Sequence, residues 1–137
     1  MSVRFLDANI IIRYVTQDDA VLAQKARAIL QRIKDGTVQA TTCEAILSEC
    51  VFVLSSKRLY HLPRPQVAEL LKVIIAFKGL KMAYKRVYQK ALDLYAMTTL
   101  DFADALAVAH MERQKITEIY SFDTDFDKIA GLKRLDR

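Results

Sequence analysis

Glycine and proline are scarce in this chain, with 3 and 2 copies in 137 residues. So little of either leaves no room for a low-complexity linker, and residues 1–137 are expected to form a single domain large enough for a real core. Long hydrophobic runs are missing as well. The longest uncharged apolar stretches, such as Cys50 to Leu54 and Val73 to Phe77, are far too short to span a bilayer. The segment Met1-Ser2-Val3-Arg4-Phe5 has no extended apolar stretch of the kind a signal peptide carries. Cys43 and Cys50 lie about two helical turns apart, too far for a disulfide between them. Two reduced, buried thiols in a cytoplasmic protein are expected. His61 and His110 have no obvious partners in sequence. No Gly-rich phosphate loop, Cys-x-x-Cys pair or His-rich zinc spacing is present.

What the chain does have is the composition of a soluble globular protein, 53% hydrophobic and 27% charged, and four acids in apolar surroundings. Asp7 ends the run Val3-Arg4-Phe5-Leu6. Glu49 is the only charge between Ala45 and Ser56. Asp104 is set in Phe102-Ala103-Asp104-Ala105-Leu106-Ala107-Val108-Ala109, and Asp123 closes Ile119-Tyr120-Ser121-Phe122. An ionised carboxylate is costly to bury unless it is paired, hydrogen-bonded or bound to a metal. Four of them, spread along the chain, predict one acidic pocket assembled by the fold. Each also has a plainer reading. Asp7 and Asp123 suit helix caps or turns. Glu49 suits an ion pair with a buried Arg such as Arg13. Asp104 suits a first-turn acid favoured by the helix dipole, although Asp101 is better placed for that cap.

Net charge is +5, and it is unevenly spread. Residues 57 to 90 hold nine basic side chains against a single acid, Glu69. Tyr60, Phe77, Tyr84 and Tyr88 lie among them, a mixture that fits a phosphate backbone and stacked bases. A solvated helix face is the plainer reading. Bound metal ions would let the acids and an anionic substrate coexist.

Hydrophobic spacing predicts strands near 3–6, 37–40, 118–122 and 132–135, with a connection or short strand at 79–83. Helices are expected over about 19–34, capped by Asp18 or Asp19 and stopped at Asp35-Gly36, and from Pro65 to about Phe77. Further helices are expected from Tyr84 to Met97 and from Thr99 or Asp101 to about Gln114. Thr41 with Glu44 predicts a capping box for the helix that carries Glu49. Strands separated by helices argue for an α/β sandwich with a mostly parallel sheet. Ligands in such sheets bind beyond the carboxyl ends of the strands, where Asp7 and Asp123 stand.

Hard cations such as Mg²⁺ and Mn²⁺ prefer oxygen ligands. Carboxylates on rigid elements can hold them, and the metals can polarise a phosphoryl oxygen and generate a hydroxide nucleophile. Asp7, Glu49, Asp104 and Asp123 are the candidate ligands and catalytic groups. Asp125 is near enough in sequence to assist, and Asn9 to orient a water.

These residues together resemble a known family. Phe5-Leu6-Asp7-Ala8-Asn9-Ile10-Ile11-Ile12-Arg13-Tyr14 resembles the opening strand and acid motif of PIN-domain ribonucleases. Glu49 with Cys50-Val51-Phe52-Val53-Leu54 is similar to the second acid on its helix. Asp101-Phe102-Ala103-Asp104-Ala105-Leu106 is similar to the third motif, and Ser121-Phe122-Asp123-Thr124-Asp125-Phe126-Asp127 to the fourth. The match runs in order along the whole chain, and the size is that of VapC-type toxins of toxin–antitoxin pairs. Ala8 stands where the family commonly has Thr or Ser. The resemblance implies a three-layer α/β sandwich around four to five short, mostly parallel strands. It also implies a Mg²⁺- or Mn²⁺-dependent endoribonuclease, held inactive by a cognate antitoxin and usually a homodimer. Two competing readings remain open at this point. One is a non-enzymatic nucleic-acid- or partner-binding module whose acids are structural. The other is a phosphatase with Asp7 as nucleophile, which Asn9 disfavours because such enzymes generally want a second Asp there.

Overall fold

The computed structural model describes residues 2–137. Strand β1, Val3–Phe5, leads through Leu6 and Asp7 into α1, Ala8–Thr16. Helix α2, Ala20–Asp35, follows, with Asp19 Oδ1 accepting from the Leu22 amide and Gly36 closing the helix at φ 81°. Strand β2, Gln39–Thr41, returns parallel to β1, with Val3 opposite Gln39 and Phe5 opposite Thr41. Four helices come next: α3 Glu44–Ser55, α4 Arg64–Ile75, α5 Lys85–Met97 and α6 Phe102–Gln114. Strand β3, Glu118–Tyr120, and β4, Lys133–Leu135, then pair in parallel across a 3₁₀ helix at Thr124–Lys128.

The mixed α/β class and the parallel sense of every strand pair are as expected. The strands divide into two pairs, β1–β2 and β3–β4, rather than one continuous ladder. Leu80 extends the first pair by a single parallel bridge to Ala40. The outer positions of β1 and β3 stay open to solvent, with Phe5 61% and Tyr120 77% exposed. Among the described residues, no helix is long and apolar enough to cross a membrane.

One buried cluster joins both halves, running from Leu6 and Ile11 through Leu30, Leu47, Leu71 and Leu92 to Ala105 and Phe126. Helix α5 packs against α4 and α6, and α1 against α2 and α3. Arg64, at the start of α4, donates from Nε to the Tyr95 carbonyl at 2.9 Å and from a terminal nitrogen to the Leu100 carbonyl. Its guanidinium also lies over the Tyr95 ring, 3.8 Å from the centroid. The backbone carbonyls that end α5 and lead into α6 thereby gain a charged donor, which a purely apolar contact would not provide.

The expected capping box does not form. Thr41 is held in β2, so α3 begins after Cys43, which makes no side-chain cap. Cys50 is buried as expected, but Cys43, at the start of the helix, is left exposed. Glu44 turns away to α6 instead.

Gly79 allows the Leu80 segment to reach β2. Its amide donates to the Ile33 carbonyl at 2.8 Å, and its carbonyl accepts from the Ala40 amide at 2.8 Å. A Cβ here would collide with the backbone carbonyl oxygens of Val38 and Ile33. Backbone cannot move aside as a flexible side chain can. Gly79→Ala is therefore expected to destabilise the fold by about 2 kcal/mol or more, measured by urea unfolding, whereas Gly131→Ala, with nothing near its Cβ, should cost only about 1 kcal/mol, for holding alanine at the left-handed φ of 79°.

Candidate functional site

Asp7 occupies the N-cap position of α1 with extended backbone (φ −89°, ψ 160°), yet its side chain makes no capping hydrogen bond. Its location is tightly held. The Leu6 amide donates to the Thr41 carbonyl at 2.8 Å, and the buried Thr42 hydroxyl donates to the Leu6 carbonyl at 2.9 Å. The backbone is pinned one residue before Asp7 while the carboxylate is left exposed and uncommitted.

The same separation of duties appears on α6. Asp101 is the N-cap, and its Oδ1 accepts from the Asp104 amide at 2.8 Å. Asp104, one turn into the helix, keeps a free, half-buried side chain. Burial pushes its carboxyl above the ordinary value of 3.8, and the charges of Asp101, Asp123 and Asp125 add to the rise. Asp123 does serve as a cap: one carboxylate oxygen accepts from the Asp125 amide at 2.9 Å at the start of the 3₁₀ helix. Asp125 is half-buried and pairs with Lys128 at 3.5 Å.

Glu49 departs from the sequence expectation of an acid enclosed by apolar neighbours. Helix α3 is apolar around most of its circumference, but it turns Ala45, Glu49 and Phe52 to solvent, with Phe52 68% exposed. The ion pair with Arg13 is absent, because Arg13 bonds Asp18 at 3.0 Å. Beside Glu49, the buried Cys50 thiol is pushed up to about 12, first by burial and then by the charges of Glu49 and Asp7. Asn9 is exposed in the first turn of α1 and faces a cavity toward α2, lined also by Arg13, Leu22 and Lys25.

The acids thus fall into two electrostatic groups. Asp101, Asp123 and Asp125 act on Asp104, and Glu49 and Asp7 act on Cys50. Among the described residues, no three His, Cys, Asp or Glu side chains are arranged to hold a metal ion. The donor chemistry nonetheless fits a hard cation. Asp7, Glu49, Asp104 and Asp123 enter no ion pair, a condition they share with Asp19, Asp35, Glu69, Asp101 and Glu118, so their oxygens are available but are not set apart by that alone. All four candidates offer oxygen, the preferred donor for Mg²⁺ and Mn²⁺.

His110, which had no partner visible in sequence, has three. Its Nε2 lies 2.8 Å from Glu44 Oε1, and the rings of Tyr84 and Tyr88 meet it edge-on at 6.5 Å. The residue ties α6 to α3. No local pattern links positions 44 and 110, so only the packing of the two helices reveals the pair.

The family profile described as PIN domain matches residues 4–132, a span that holds all four candidate acids. No curated protein matches the chain at a significant level.

The raised carboxyl of Asp104 has a measurable consequence. The folded state holds this proton more tightly than the unfolded chain, so the stability it contributes is present below about pH 3.8 and is lost as pH rises through the folded value. Asp104→Asn should remove that loss and, without metal near neutral pH, raise the melting temperature by about 1–3 °C. Millimolar Mg²⁺ should raise the melting temperature of the wild type and leave that of Asp104→Asn unchanged, as measured by scanning calorimetry.

Proposed function

The chain belongs to the PIN domain family, and from that premise we propose that it is a metal-dependent endoribonuclease of the VapC type, the toxin of a toxin–antitoxin pair. PIN domains are generally nucleases that bind nucleic acid and typically use divalent metals. The observation that supports the finer reading is Asp104, a half-buried acid with no ion pair whose carboxyl is raised by burial and then by the charges of Asp101, Asp123 and Asp125, inside a family match that spans all four candidate acids. Carboxylates that raise one another's cost of ionisation, as around Asp104, are relieved by a positive ligand.

Asp7, Glu49, Asp104 and Asp123 would hold Mg²⁺ or Mn²⁺ directly or through water, with Asp125 assisting. When bound, the metal would supply Lewis acidity at a phosphoryl oxygen and a more acidic water. The protein's own part is placement. Thr42 and Leu6 fix the strand end that presents Asp7. Asp101 takes the cap and leaves the Asp104 oxygens free. Asn9 would position a water or a phosphate oxygen. His110 is engaged with Glu44 and is not needed for bond breaking. Lys81, Lys85 and Arg86, from the basic middle of the chain, would draw in the RNA backbone.

Exposed Val21 and Leu22 on α2 and Phe52 on α3 support a further element of the proposal, contact with a second copy of the chain or with the antitoxin. The working compartment in this reading is the cytoplasm, in keeping with free Cys43 and Cys50.

A second reading, a binding module whose acids are structural, draws on the separation of the acids into two groups. The two readings differ in cleavage. With Mg²⁺, the wild type should cut structured RNA, and Asp7→Ala should lose at least about 100-fold in kcat/KM, of the order expected when a metal ligand is removed. Chelation should abolish cleavage by the wild type. Equal activity in wild type and Asp7→Ala would sink the metal-site assignment and leave the binding module.

A further inference from the structure

Tyr84 sits oddly in its own helix. It is the N-cap residue of α5, but its backbone is left-handed (φ 63°, ψ 34°) and its side chain makes no capping bond. N-cap positions favour Ser, Thr, Asp or Asn, which supply an oxygen to the free amides. Three other non-glycine residues have positive φ: Gln17 and Lys115 stand at helix C-termini, where it is common, and His61 lies in the connection after α3. A bulky residue rarely adopts it, and such positions concentrate where a ligand is handled. Capping therefore gives no reason for tyrosine here, although its ring also meets that of His110 edge-on at 6.5 Å. The ring is half-exposed, and the guanidinium of Arg113 on α6 lies over it, 4.3 Å from the centroid.

The pair lines a cleft of about 560 Å³ between the start of α5 and the end of α6, together with Lys85, Arg86, Lys90 and Glu112. Its charge is one-sided. Among the described residues Lys85, Arg86 and Arg113 form no ion pair, and the one acid, Glu112, is engaged by Lys90 at 3.9 Å. An aromatic ring and a guanidinium plane, with Arg86 and with Lys85, whose ammonium also donates to the Phe77 carbonyl at 3.1 Å, offer the two things a single-stranded nucleic acid needs: a flat surface for a base and positive charge for its phosphates. Arg113 stands nine residues beyond Asp104 on α6, about 13 Å along the helix axis. At ~3.4 Å per stacked base, that is some three to four nucleotides.

We infer that this cleft is a nucleotide-binding subsite. A base of single-stranded RNA stacks on the Tyr84–Arg113 pair, with the adjoining phosphates on Lys85 and Arg86. The subsite rests on the nuclease reading in that it binds the same strand, away from the acids. It holds the substrate and takes no part in breaking the bond.

The test is binding without turnover. A fluorescently labelled single-stranded RNA decamer is titrated in chelator by anisotropy. Tyr84→Gly should weaken binding about 5- to 100-fold, the loss of one stacked base. The same variant should stay folded, since glycine accepts the left-handed backbone, although losing the ring contacts with His110 and Arg113 should lower its melting temperature by about 2–6 °C. Tyr84→Phe, which keeps the ring, should bind as wild type. Arg113→Ala should weaken binding and flatten the salt dependence of log Kd, whereas Tyr84→Gly should leave that slope unchanged. A folded Tyr84→Gly protein that binds the decamer as tightly as wild type overturns the subsite. So does a Tyr84→Gly effect confined to a polyglutamate probe, which would mark a protein-docking surface. Tyr84-dependent binding with no cleavage in Mg²⁺ would leave the subsite standing and remove the nuclease reading. Normal cleavage with unchanged decamer affinity would do the reverse.

Discussion

Backbone pairing at Ala40 is the constraint from which the candidate site follows. This buried residue is opposite Arg4 of β1 on one side and bridges to Leu80 on the other. Its amide and carbonyl bond Gly79 and Lys81 at 2.8 Å and 2.7 Å. With both edges of β2 in use, Thr41 and Thr42 are fixed, and they in turn hold Leu6. Asp7 leaves this framework at the one point where its backbone is rigid and its side chain has no duty. A loop would give the same carboxylate freedom to find a basic neighbour, and the entropy of ordering it would fall on whatever ligand it met.

A second theme is that structural and chemical duties are given to different acids. Asp101 caps α6 so that Asp104 need not, and Asp19 caps α2 while Asp18 holds Arg13, Thr16 and Tyr60. Asp123 is the exception, since it caps the 3₁₀ helix with one oxygen and keeps the other free. The cost shows in Asp104, whose carboxyl is pushed upward first by burial and then by the charges of its acidic neighbours. Positive charge is kept apart from this region and gathered around α5, where several cations lack acidic partners.

Much of this was legible in residue order, and the failures have physical causes. The 3.6-residue spacing of Ala23, Ala26, Leu30 and Ile33 and the Asp35-Gly36 stop located α2, because both signals are local. Asp101 was identified as the better cap because capping is set by separation along one helix. The Thr41–Glu44 box failed because a strand pairing, which depends on residues far away, claimed Thr41 first. Glu49 was expected to be enclosed because α3 is apolar nearly all round. On such a helix periodicity cannot say which face the rest of the chain leaves open, and Phe52 shares the open face. The His110–Glu44 pair and the strained Tyr84 backbone leave no local signature. The division of the strands into two pairs was equally invisible, because alternation marks a strand but does not name its neighbour.

Cys50 gains a different meaning from its surroundings. It is fully buried in α3, flanked by the charges of Asp7 and Glu49, and its thiol is held near 12. At that value the sulfur stays protonated throughout the physiological range. Thiolate is the form that reacts with oxidants and the ligand that favours zinc and copper(I) over harder ions. By keeping its proton, Cys50 packs as a small apolar side chain. Burial first, and the charges of Glu49 and Asp7 after it, guard this sulfur against oxidation and keep soft metals from finding a ligand there.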